Sequence, residues 1–168
     1  MKRVQPFLIS FSLLLLACSR TTVGVDSESI GEQVVPQVIP GPGPVEVPGH
    51  GQELWFAVGA MTGAPGVNAN GVAQAHYLED GTGIVTVQLN IERAPEGSFF
   101  EAWLVSPSGR ISLGHLRTPF GDVRHSLKYL EKQDVRSYGK LEVTRELDDG
   151  NAAPGVVVAE AMLKERNR

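Results

Sequence analysis

The chain has 168 residues, with 15 Lys and Arg against 19 Asp and Glu, a formal charge of −4. No lysine or arginine block stands out, and phosphate contacts need clustered cations, so a nucleic-acid partner is excluded. The single cysteine, Cys18, rules out an internal disulfide.

The chain opens MKRVQPFLISFSLLLLACSR. Lys2 and Arg3 precede an apolar run from Phe7 to Ala17. A membrane-spanning helix needs about 20 apolar residues, and this run is shorter. A basic start, a short apolar core and a small residue before a break predict a signal peptide over residues 1–17. Leu15-Leu16-Ala17-Cys18 resembles the bacterial lipobox. That resemblance implies a diacylglyceryl group on the Cys18 sulfur, cleavage before it and acylation of the new amine. The alternative is an ordinary secretory signal that contains a cysteine. Two or more acyl chains anchor stably where one does not, so lipid at Cys18 would make the membrane a partner of the chain. The chain would then sit outside the cytoplasm. Ser19, in place of an aspartate, follows the cysteine; by resemblance to sorting in two-membrane hosts, this favours the outer membrane.

Residues 18–52 read as the lipidated N-terminus and a linker. The stretch VVPQVIPGPGPVEVPGHG predicts extended polyproline segments broken by flexible glycines. Packing along the domain as an edge segment is the alternative. From Glu53 the aromatic residues return, and 53–163 is long enough for one domain with its own core. Residues 164–168 are a polar tail, predicted to fray.

Short strands follow one another. GVAQAHYL (71–78) runs into the turn EDGTG. In IVTVQLNI (84–91), Val85, Val87, Leu89 and Ile91 alternate with Thr86, Gln88 and Asn90, the period of a half-buried strand. FFEAWLV (99–105) reads as a central strand, and SPSG as a hairpin turn into RISLGHL (110–116). VRHSLKYL precedes a polar stretch, 131–138, that suits a short helical turn. KLEVTREL (140–147) and VVVAEAML (156–163) complete the set. Seven or eight short strands with turns at this spacing predict an all-β fold, an antiparallel β-sandwich. No amphipathic helices stand between the strands, as an α/β fold would require.

Two stretches carry a family resemblance. SFFEAWLVSPSGRISLGHL (98–116) is similar to a segment of the extracytoplasmic domain of anti-sigma-K factors, the RskA-like proteins. LEVTRELDDGNAAPGVVVAEAML (141–163) is similar to the final hairpin of the same domain. The resemblance covers roughly residues 71–163 and implies a β fold with a sensory, binding or assembly role. Those factors also have a sigma-binding region and a transmembrane helix before this domain. The polar, proline-rich residues between Cys18 and Glu53 match neither, so sigma-factor binding does not carry over.

Chemistry is sparse in the sequence. His50, His76, His115 and His125 show no H-x-H pair and no metal-ligand spacing. Asp148-Asp149-Gly150-Asn151 lacks the further ligands of a calcium loop and reads as a turn. No G-x-S-x-G elbow occurs, and neither GTG nor GPG opens a helix. No catalytic, metal or cofactor residue is assigned. Glu101 and Trp103 lie two apart and share a strand face opposite Phe100, Ala102 and Leu104. They form either an exposed recognition surface or a covered pair, with Glu101 satisfied by a neighbour such as Arg110. The leading expectation is a non-enzymatic, lipid-anchored module that binds another envelope protein. The alternatives are a divergent envelope metalloenzyme on a superoxide-dismutase-like sandwich, with His76, His115 and His125 converging, and a structural spacer.

Overall fold

A computed structural model describes residues 45–151 and 153–167. The signal peptide, Cys18 and the linker up to residue 44 lie outside the described residues. The fold is all-β and antiparallel. In chain order the strands are β1 (Glu46–Val47), β2 (Gly51–Gly63), β3 (Ala69–Leu78), β4 (Gly83–Ile91), β5 (Ser98–Ser106), β6 (Gly109–His115), β7 (Arg124–Glu131), β8 (Lys140–Leu147), β9 (Val156–Met162) and β10 (Lys164–Glu165).

Eight of them hydrogen-bond in the order β6-β5-β8-β9-β2-β3-β4-β7. The two ends of this order meet at one antiparallel bridge, Arg117 to Ser126. The sheet therefore wraps into a nearly closed barrel. Its halves, β2-β3-β4-β7 and β9-β8-β5-β6, form the two layers of a sandwich. Strands β5, β6 and β7 follow one another, and β8 returns beside β5, the Greek-key connection.

The alternation read in 84–91 sets the inward face. Val85, Val87, Leu89 and Ile91 are buried, as are Phe100, Ala102, Leu104, Leu141 and Val143 from the facing layer. Each fully buried Leu or Val contributes roughly 1.5–3 kcal/mol relative to exposure. The residues between them face outward, and this places Glu101 and Trp103 on the outer surface of β5.

Four elements differ from the sequence expectation. The longest strand, β2, covers GQELWFAVGAMTG and has no clean alternation, because Phe56 and Ala57 are buried on opposite faces. The helical turn expected at 131–138 is instead an irregular connection, with no helix there. Val135 is pinned into the core at 0% exposure, and an apolar anchor in a polar stretch ties the chain down without a helical repeat. The tail does not fray at its start. Lys164 and Glu165 pair with Val58 and Ala57 of β2, and Arg166 N–H donates to the Phe56 carbonyl at 2.9 Å. Gly59 permits this approach, since a Cβ there would stand 2.5 Å from the Met162 carbonyl oxygen. Ordered structure also begins before Glu53. Val47 is buried with Leu78 and Ile84 in a small second core outside the main one.

Candidate functional site

The outer face of β5 and its neighbours β6 and β8 holds the residues singled out from sequence. Register sets Trp103 between Ser112 on β6 and Glu142 on β8. Glu101 lies between His115 and Thr144. This register depends on a bulge, where Ala102 pairs with Gly114 and Trp103 with Ser112. Gly114 takes a φ of 99°, a conformation that favours glycine. The extra residue, Leu113, turns inward and is buried, while Ser112 stays outside. Ser112 Oγ accepts the Gly114 N–H at 3.1 Å and donates to the Glu101 carboxylate.

Trp103 is only 8% exposed although it lies on the outer face. Its indole Nε1–H donates to Thr144 Oγ1 at 2.8 Å, and Thr144 itself is 0% exposed. Of the two sequence alternatives, the fold presents the covered one for Trp103. Glu101 stays half-buried, and its partner is Ser112, not Arg110. Arg110 reaches Glu142 instead, at 3.4 Å. Lys140 bridges Glu142 at 3.0 Å and Glu160 at 2.5 Å, and these carboxylates, Glu160 foremost, hold its ammonium above the ordinary lysine value. The nearly buried Glu142 is thus compensated by two cations, as a charge in that position requires.

Sequence reasoning missed the neighbours that complete this face. Phe99 stacks on His115 with ring centroids 4.0 Å apart. The ring of His115 stands exposed and Phe99 half-buried. Thr144 and Glu142 were visible as outward positions of an alternating strand, but their pairing with Trp103 needed the β5–β8 register. The face has a packed indole floor, a stacked aromatic pair and a carboxylate at its centre. It can make apolar contact and accept hydrogen bonds, and the Ser112 hydroxyl is committed to the Glu101 carboxylate.

The three strand histidines do not converge. His76 and His125 pair with Ile84 and Leu89, five residues apart on β4 and so about 17 Å apart along the strand. His76 Nδ1 meets Glu53 Oε2 at 2.6 Å, and its ring lies 4.8 Å from that of Phe56. His125 donates Nδ1–H to the Val123 carbonyl at 2.9 Å and packs edge-on against Phe100, on the inner side of β5. His115 is on the outer side, so the sheet separates these two. Among the described residues, no three His, Cys, Asp or Glu side chains are grouped to hold a metal. Asp148 to Asn151 form a turn, where Asp149 Oδ1 accepts the Asn151 N–H at 2.9 Å.

A second feature lies at the end of the barrel beyond β2 and β4. It is an open cleft of about 960 Å³ with Asn70, Asn90, Arg93 and Arg145 at its rim and Phe100 and Val158 among its apolar lining.

No protein-family model, no curated protein and no solved structure matches this chain.

Proposed function

We propose that the chain is a lipid-anchored, extracytoplasmic binding or sensory module of the bacterial cell envelope. It acts through contacts with another envelope protein and is not an enzyme. The observation that carries the reading is the outer face of β5, β6 and β8. There the Phe99–His115 stack stands on the same face as the Glu101 carboxylate, which Ser112 holds, and as the Trp103 indole, which Thr144 holds. Aromatic groups over a rigid floor are the usual anchors of a protein contact. The lipobox-like Leu15-Leu16-Ala17-Cys18 supports the anchor, and the proline- and glycine-rich linker supports a domain held off the membrane. The likeness of 98–116 and 141–163 to the outer domain of anti-sigma-K factors supports a sensory role.

The test is crosslinking in cells of the native protein, with a photo-reactive residue at position 99 or 115, and mass spectrometry of the products. The expected result is one partner captured reproducibly at these positions. A Cys18→Ser form should leave the membrane fraction and lose the adduct. Specific turnover of an envelope substrate by the purified protein would overturn the reading, as would equal membrane attachment of Cys18→Ser.

A further inference from the structure

Strands β6 and β7 end the strand order. Among the described residues, the backbone pairing that joins them lies just past the end of β6, where Arg117 and Ser126 exchange two hydrogen bonds, each 2.8 Å long. From there β6 runs back to Gly109 with β5 as its strand partner, and β7 runs on to Glu131 with β4 as its partner. Between them the barrel has a seam with a strand edge on each side. Ile111 of β6 and Tyr129 of β7 stand beside it, half-buried against the main core.

The charges beside the seam are mostly of one sign. Arg110, Arg117 and Lys128 sit at outward positions and are exposed. Arg110 has Glu142 at 3.4 Å, whereas Arg117 and Lys128 have no carboxylate partner among the described residues. Asp122 is taken by Arg124 at 2.6 Å, which leaves Glu131, at the splayed end, as the acid on these two strands without an ion pair among the described residues.

An exposed strand edge is a row of backbone donors and acceptors, and another extended backbone satisfies it best. Natural edges are commonly blunted by a bulge and by cations. Here β6 carries both, at Leu113-Gly114 and Arg110. The same cations that repel a second copy of this edge attract an acidic strand.

We propose that the seam beside β6 receives an extended segment of a partner protein, with acidic side chains facing outward toward Arg110, Arg117 and Lys128 and apolar side chains facing inward over Ile111 and Tyr129. The added strand would continue the layer β9-β8-β5-β6 and border the Phe99–His115 face. This inference rests on the reading of the chain as a protein-binding module and names the chemistry of what it binds.

The experiment uses the full chain purified in detergent. Amide hydrogen exchange of Arg110–Gly114 is followed with a short peptide of alternating glutamate and valine, and with its lysine–valine counterpart. The glutamate peptide should slow exchange in this segment roughly tenfold, a population effect of about 1.4 kcal/mol. The lysine peptide should leave it unchanged. An Arg117→Glu/Lys128→Glu double variant, altered only at exposed positions, should keep its melting temperature and lose the protection. Protection by both peptides, protection confined to other strands, or no protection at saturating glutamate peptide would overturn the seam. Crosslinking from position 99 or 115 separates the two ideas. A partner captured there without seam protection leaves the binding function standing and removes this site.

Discussion

Thr144→Val tests the construction of the β5 face directly. The residue is 0% exposed, and its Oγ1 accepts the Trp103 indole N–H at 2.8 Å. Valine keeps the shape and removes the acceptor. The indole is 8% exposed, so water replaces the lost partner poorly. A buried donor left unpaired costs about 1–3 kcal/mol. The added methyl returns about 0.8 kcal/mol. The net loss is about 1 kcal/mol, or about 4 °C in melting temperature for a domain of this size. Urea unfolding followed by circular dichroism measures it, with an unchanged slope as the control. Trp103→Phe and the double variant complete a cycle whose coupling should be about 1 kcal/mol. An unchanged midpoint for Thr144→Val, with coupling near zero, would refute the claim that this bond fixes the indole.

Three further outcomes follow from the geometry. Leu104→Ala, at a 0% exposed site in the main core, should cost about 2–5 kcal/mol, read as a lower urea midpoint; a loss below that range would mean the site collapses freely. Gly59→Val should push against the Met162 carbonyl, destabilise the fold by roughly 1–3 kcal/mol and speed amide exchange at Lys164–Arg166, whereas protected amides there would show that the crossing tolerates a side chain. Lys132, 2.6 Å from Asp80 Oδ2, is the main cause that holds this carboxyl well below its ordinary value of 3.8. A depressed value means that the stabilising contribution is present above pH 3.8 and is lost as pH falls below it. In Lys132→Ala the Asp80 carboxyl should titrate closer to 3.8, as followed by carbon NMR, and an unmoved titration would show that His50 and Thr82 suffice.

The sequence by itself determined the fold class and most strand positions. Strict alternation in 84–91 is a local property, and a two-residue period fixes which side chains turn inward wherever the strand pairs. In 140–147 it holds for Leu141 and Val143, whereas Leu147 at the strand end is 66% exposed and Thr144 is buried from the other face. The opposition of Glu101 and Trp103 to Phe100, Ala102 and Leu104 was legible for the same reason. The sequence did not reveal β2, because burial of Phe56 and Ala57 on opposite faces erases the period. Nor did it reveal the pairing of the tail, since Lys164 and Glu165 are held by backbone hydrogen bonds that make no demand on side-chain polarity. The burial of Trp103 depends on register between β5 and β8, which are distant in the chain, and the stacking of Phe99 on His115 depends on the bulge that shifts the β5–β6 hairpin by one residue. Thr144 lies 41 residues from the indole it fixes, and only the pairing of β5 with β8 brings them together.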